Sequence, residues 1–62
     1  MFAENLERLR SAKGLSQTDL ANALGLCQSA ISKWQTSNSL PRVNILIKLA
    51  EILDCTVEDL LK

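Results

Sequence analysis

The sequence contains no histidine, and its two cysteines, Cys27 and Cys55, do not form a CxxC pair. Zinc sites are usually built from four cysteine and histidine ligands, so we expect no metal site and no cofactor. No nucleophile is clustered with a base, and no pair of carboxylates stands apart from ordinary surface acids, so we expect no enzymatic activity. A disulfide between the two cysteines is disfavoured in a reducing compartment.

Long apolar runs and a secretory signal are also missing. The richest apolar stretch, residues 43–53, is interrupted by Asn44, Lys48 and Glu51, which is incompatible with a membrane-spanning helix. The start of the sequence has no basic segment followed by an apolar run, as a signal peptide would have. We therefore expect a cytoplasmic protein that does not enter the membrane.

The apolar residues that are present suffice for one small core. They make up 47% of the 62 positions, and no segment alternates with period two. We therefore expect a single all-α domain over residues 1–62. A chain of this size buries only about 60% of its unfolded surface, so its stability should be modest.

The seven basic and seven acidic residues cancel in number but are unevenly distributed along the chain. Between residues 24 and 44 the only charged side chains are Lys33 and Arg42, and between residues 51 and 59 every charged side chain is acidic. A domain with this distribution can turn one end towards phosphate. The same pattern also occurs in proteins that bind no nucleic acid, so charge alone does not decide the function.

Helical periodicity and capping residues predict five helices: residues 2–12, 16–24, 27–35, 43–53 and a short helix after Thr56. Gly14 is expected to end the first helix, and Gly25 to end the second in a left-handed conformation. Ser16 with Asp19, and Thr56 with Asp59, have the spacing of capping boxes. The fourth helix is apolar over a broad arc, which predicts that it is the most buried.

Residues 27–35 have two distinct faces when they are wound as a helix of about 100° per residue. The apolar face consists of Cys27, Ala30, Ile31 and Trp34. The opposite face carries amides, hydroxyls, one positive charge and no acid, in the residues Gln28, Ser29, Ser32, Lys33 and Gln35. Hydrogen-bonding side chains of this kind suit the base edges in a DNA groove.

This order of helix, glycine turn and helix resembles the helix-turn-helix DNA-binding domains of phage repressors and Cro (the XRE family). The resemblance covers residues 6–61 and depends on a set of residues at the family's spacing: Gln17, Leu20, Ala21, Leu24, Gly25, Leu26, Ile31, Trp34, Pro41, Leu46, Leu49, Ala50, Leu53 and Leu60. It implies a compact, five-helix, repressor-like fold. It also implies that the third helix lies in the major groove and that a homodimer binds double-stranded DNA.

The resemblance further implies which residues act. The expected DNA-binding residues are Gln17 on phosphate, Gln28, Ser29, Ser32 and Lys33 on base edges or nearby phosphate, Asn38 in the loop, and Arg42 on phosphate or in the minor groove. The alternative interpretation of each is an ordinary solvated side chain. Trp34 is expected in the core rather than as a stacking platform. The implied dimer contact is residues 54–61.

Three features depart from the family pattern. Gln35 stands where the family often has a glutamate, and we expect it to hydrogen-bond Arg10 in place of an ion pair. Ser37 replaces a glycine, so that either Ser37 or Asn38 should take the positive φ. The loop is also poor in basic residues, which predicts low affinity for generic DNA.

Cys27 stands where the family usually has a serine or threonine cap. We expect it to be a half-buried substitute for that cap, with redox control of binding as the alternative interpretation.

A second function remains open on the same fold, that of a protein-interaction module in a regulatory complex. Its partner, an additional regulatory protein, would bind helices four and five. Exposure of Leu40, Leu60 or Leu61 would favour this alternative.

Overall fold

The computed structural model describes residues 2–37 and 39–62, which form five α-helices and their connections. The helices are α1 (Phe2–Ala12), α2 (Gln17–Leu24), α3 (Gln28–Thr36), α4 (Val43–Ile52) and α5 (Val57–Leu61). No strand occurs in these two described ranges, which confirms the all-α prediction. Helix α3 begins and ends one residue later than predicted.

Capping boxes begin both α2 and α5, as predicted. The backbone N–H of Asp19 donates to Ser16 Oγ at 3.0 Å, and the N–H of Ser16 donates to Asp19 Oδ2 at 2.9 Å. Asp59 and Thr56 make the same reciprocal pair at 3.0 and 3.1 Å. Donation from the backbone N–H of the capping residue, followed by the hydroxyl contact, lowers the pKa of each carboxyl below its ordinary value.

A single cluster of buried apolar side chains joins the five helices. Each helix contributes one of the largest fully buried side chains, which are Leu6, Leu20, Ile31, Leu49 and Leu60. Burial of one such side chain stabilises the fold by about 1.5–3 kcal/mol. Trp34 belongs to the same cluster and is only 8% exposed, which confirms that it is a core residue rather than a stacking platform.

Helix α4 is less buried than its composition predicted. Its core-facing residues are Leu46, Leu49 and Ala50, whereas Val43 and Ile47 are 72% and 50% exposed. The reason is that α4 packs mainly against α2 and α5, and its apolar arc is wider than the surface these helices cover.

The left-handed backbone positions agree only in part with the expectation. Gly25 has φ of 71°, as predicted, and Gly14, which ends α1, has the same φ. Ser37 has φ of −121°, so it does not take the positive φ, and Asn38 lies outside the described residues. Asp54, between α4 and α5, has φ of 55°, which we had not predicted; aspartate tolerates this region better than most residues.

The two ends of the described chain are joined by Asn5, a buried amide on α1. Its Nδ2 donates to the carbonyl oxygens of Leu60 and Lys62, at 3.0 Å each. These bonds satisfy carbonyls at the end of α5, which have no partner within the helix. Sequence analysis did not identify this role.

Candidate nucleic-acid interface

Helix α3 is held at a fixed position against α1 and α2. Ile31 is fully buried, and Ala21, a small side chain on α2, is only 1% exposed. The turn between α2 and α3 is closed by Gly25 N–H donating to the Asn22 carbonyl at 3.2 Å, and by Leu26 N–H donating to the Ala21 carbonyl at 2.9 Å. The outer face of α3 is therefore presented at an angle that the core determines.

The outer face of α3 is open to solvent, as predicted. Gln28, Ser29 and Lys33 are exposed, and Ser32 is half-buried. The first turn of α3 contains no acid, and Lys33 makes no ion pair within the described chain. This face therefore offers hydrogen-bonding groups and one positive charge to a polyanion.

A row of side-chain hydrogen bonds runs from the start of α3 to α1, and we call Gln28, Gln17, Gln35 and Glu7 the amide row. Gln28 Nε2 donates to Gln17 Oε1, and Gln17 Nε2 donates to Gln35 Oε1 at 3.1 Å. Gln35 Nε2 then donates to Glu7 Oε2 at 2.8 Å. Gln17 and Gln28, which were predicted separately as DNA contacts, are thus direct neighbours.

The predicted hydrogen bond between Gln35 and Arg10 is wrong, because Glu7 lies between them. Arg10 Nη2 is 3.6 Å from Glu7 Oε1, and Arg10 Nη1 donates to the carbonyl of Leu15 at 2.8 Å. Gln35 uses the other oxygen of the same carboxylate. The spacing of Glu7 and Arg10 on α1 was visible in the sequence, but nothing in the sequence linked Glu7 to Gln35.

Cys27 is exposed rather than half-buried, so that prediction is wrong. It is the N-cap residue of α3, but its side chain makes no capping hydrogen bond. Sulfur is a weak acceptor, which explains why the thiol does not replace a hydroxyl here. Cys55 is half-buried against the core, and burial, with smaller effects from Asp59 and Asp54, raises the pKa of its thiol.

The loop before α4 brings another predicted residue near α3. Arg42 is exposed at the N-cap of α4, where its side chain makes no capping bond. A groove between this loop and α3 is lined by Arg42, Leu40 and Ala30, among others. Asn38, the remaining predicted contact, lies outside the described residues.

The described part of the chain holds no group of three or more potential metal-ligating side chains. Within residues 2–37 and 39–62, every helix is too short or too polar to cross a bilayer.

Comparison with known proteins agrees with this geometry. A family model described as helix-turn-helix matches residues 6–60. The chain belongs to the helix-turn-helix family. The resemblance to phage repressor and Cro domains is therefore confirmed, together with the five-helix repressor-like fold.

Curated relatives of this chain are named as regulators of transcription. An uncharacterized HTH-type transcriptional regulator, YqaE from Bacillus subtilis, is 36% identical over 62 residues, covering 100% of this chain and 53% of YqaE. The HTH-type transcriptional activator BcrR from Enterococcus faecalis is 35% identical over 60 residues, covering 97% of this chain and 29% of BcrR. The chain thus spans about half or less of the length of these relatives. Their names are consistent with the expectation of no enzymatic activity.

Solved helix-turn-helix structures superpose closely on this domain. SinR from Bacillus subtilis, a master regulator for biofilm formation solved in complex with DNA, has a TM-score of 0.89 at 28% identity, with 100% of both chains covered. SinR in complex with SinI has a TM-score of 0.88 at 28% identity, covering 100% of this chain and 61% of that one. The restriction-modification controller protein C.AhdI from Aeromonas hydrophila has a TM-score of 0.84 at 36% identity, covering 95% of this chain and 89% of C.AhdI.

Proposed function

We propose that this domain is a sequence-specific DNA-binding transcriptional regulator of the cytoplasm, with repression as its expected effect. The observation that carries the proposal is the exposed, acid-free face of α3, held by the core next to α2. A helix presented in this way fits the major groove of B-DNA, and a homodimer would read two half-sites about 34 Å apart.

Gln28 is the main base-reading residue in this proposal. One N–H of its amide is donated to Gln17, which leaves Oε1 and the second N–H free. An adenine presents the complementary pair in the major groove, the N6 donor and the N7 acceptor. Ser29 and Ser32, on the same outer face, add hydroxyls that bond to any base edge or phosphate within reach.

Lys33, Arg42 and Gln17 are the proposed phosphate contacts. Gln17 uses Oε1 and one N–H within the amide row and retains a second N–H for a phosphate oxygen. The first turn of α4 has no side-chain cap, so its backbone N–H groups lie beside Arg42 without such a partner and favour an anion. Asn38 completes the proposed set on the basis of the sequence alone.

The experiment begins with selection of bound sites from a random DNA pool, followed by anisotropy titrations at about 50 mM salt, where phosphate contacts are strong. We expect Gln28→Ala to relax the preference at one base position by about 1–3 kcal/mol. Lys33→Ala should instead weaken binding to all sequences. The matched control is Asn22→Ala, an exposed amide on α2 outside the amide row.

Two results would refute this function. One is the absence of any selected sequence at micromolar protein. The other is an equal loss of affinity for all sequences in Gln28→Ala and Lys33→Ala, which would show that Gln28 does not read a base.

A homodimer is proposed through α5 and the preceding loop, residues 54–61. Leu61 is 46% exposed, and Val57 lines a groove together with Ile47, which is 50% exposed. Sedimentation with and without DNA tests the dimer. We expect Leu61→Glu to abolish assembly on a full site while binding to a single half-site persists. Unchanged binding to the full site would exclude this surface.

The alternative, a protein-interaction module, is favoured by Leu40 and Leu61, which are 61% and 46% exposed, but not by Leu60, which is fully buried. SinR, solved with DNA and with SinI, is a structural relative for which both kinds of complex exist. An additional regulatory protein binding this domain would be the partner. Retention of a protein in pull-down, without retention of any DNA fragment, would decide for the alternative.

A further inference from the structure

The amide row ends on a group that differs chemically from the others. A glutamine side chain has a donor end and an acceptor end of similar size, so it can turn over within a row of amides. An ionised carboxylate has acceptors only. Glu7 therefore requires that Gln35 turn its Nε2 towards α1, and this places Gln35 Oε1 towards Gln17.

The same constraint passes along the row. Because Gln35 offers an acceptor, Gln17 turns its Nε2 towards it and its Oε1 towards Gln28, and Gln28 then donates. All three observed hydrogen bonds have this direction. A row of amides alone would be free to run in either direction.

Glu7 is itself held in place. Arg10 Nη2 is 3.6 Å from Glu7 Oε1, and the Arg10 side chain is only 14% exposed. The Leu15 carbonyl accepts from Arg10 Nη1 at 2.8 Å, which fixes the guanidinium. The Glu7 side chain is itself 62% exposed, so one of its oxygens faces a guanidinium that the fold holds in place, while the carboxylate remains open to solvent.

We propose that Glu7, on α1, is a positioning residue that sets the direction of the amide row and thereby makes Gln28 prefer adenine over guanine. The proposal rests on the proposed function of Gln28 as a base reader. With the observed direction, Gln28 presents one acceptor and one donor, the complement of adenine. With the reverse direction, Gln28 would present two N–H donors, the complement of the O6 and N7 acceptors of guanine.

The test compares Glu7→Gln with Glu4→Gln. Both remove one negative charge from α1 with little change in shape, but the exposed Glu4 side chain makes no hydrogen bond or ion pair with the described residues. The measurement is the ratio of Kd for guanine and adenine sites at the position that Gln28→Ala relaxes. We expect Glu7→Gln to lower this ratio by about fivefold or more, the low end of what a bidentate contact discriminates. Glu4→Gln should leave it unchanged.

A double variant provides a rescue. In Glu7→Gln/Gln35→Glu, the carboxylate moves one step along the row and again obliges Gln17 to donate. The guanine-to-adenine ratio should return to that of the unmodified protein. If Glu7 served only to stabilise α1, the midpoint of unfolding would change but the ratio would not.

A second readout needs no DNA. Side-chain amide signals in ¹H–¹⁵N spectra of the free protein should shift for Gln35, Gln17 and Gln28 in Glu7→Gln, and stay in place in Glu4→Gln. If Gln28→Ala relaxes no base position, the base-reading role fails, and the spectra still decide whether Glu7 directs the row. If Gln28→Ala relaxes one position while Glu7→Gln changes neither the ratio nor the Gln28 signal, our inference is overturned.

Discussion

Replacing Asn5 tests how the first and last helices are held together. Its Nδ2 bonds two carbonyls that are 55 and 57 residues away in the chain. Two hydrogen bonds of about 0.5–1.5 kcal/mol each contribute about 1–3 kcal/mol. Asn5→Ala also leaves the buried Leu60 carbonyl without this donor, so we expect a loss near the top of that range, about 2–3 kcal/mol. A core of this size rarely supplies more than about 3–5 kcal/mol, so the variant should be close to unfolding.

The assay is urea unfolding followed by the fluorescence of Trp34, which is buried in the folded protein. The matched control is Asn22→Ala, which removes the same side chain from an exposed position of α2. Alanine is the better helix former, so the control should be as stable as the unmodified protein or up to about 0.7 kcal/mol more stable. If Asn5→Ala lies within about 0.5 kcal/mol of the unmodified protein, the reasoning is refuted, because surface substitutions reach that value.

Asn5→Asp separates the lost donors from the lost volume. The ionised carboxylate has the shape of the amide but would face two carbonyl oxygens without a proton to donate. Burial and the two carbonyl oxygens disfavour the charged form, and Arg8, whose exposed guanidinium has Nη2 3.4 Å from Asn5 Oδ1, offsets this only in part. The pKa of the introduced carboxyl is therefore expected above its ordinary value in the folded state. The deficit relative to the unmodified protein should therefore be largest at neutral pH and shrink as the pH falls and the carboxyl gains its proton. A deficit that is constant with pH would contradict the assigned hydrogen bonds.

Three further predictions follow from caps, turns and charge. The pKa of Asp19 and of Asp59 is lowered on folding. The stability that each carboxylate contributes to the fold is therefore complete above about pH 4 and is lost as the pH falls further. The urea midpoint of Asp19→Asn/Asp59→Asn should decline less in acid than that of the unmodified protein. Gly14→Ala and Gly25→Ala should each lower the unfolding free energy by about 1–2 kcal/mol, because both glycines have φ of 71°. No steric clash adds to this cost, since a Cβ at either position meets nothing within 4 Å. A much larger loss at Gly25 alone would indicate a contact that the structure lacks. Lys33→Ala should reduce the slope of log K against log salt by about 0.9, and an unchanged slope would place Lys33 away from phosphate.

The candidate site was predictable wherever its residues share one helix. The spacing of Gln28, Ser29 and Lys33 against Ile31 and Trp34 separates an outer from an inner face without knowledge of any other helix. Glu7 was not predictable as a neighbour of Gln35, because they are far apart in the chain and meet only where α1 crosses α3. The same limit explains the error at Arg10, whose partner was inferred from the family pattern.

By itself the sequence determined the helices, their caps and the turn at Gly25, because these depend on interactions between residues at most five apart. It also determined that α3 has a polar outer face. Only the tertiary structure decided how wide a surface covers α4, and it left Val43 and Ile47 exposed. The tertiary structure likewise decided that Asn5 joins α1 to α5 and that the amide row ends on Glu7. These contacts depend on the angles at which helices pack, and packing angles follow from the whole core rather than from any local stretch of residues.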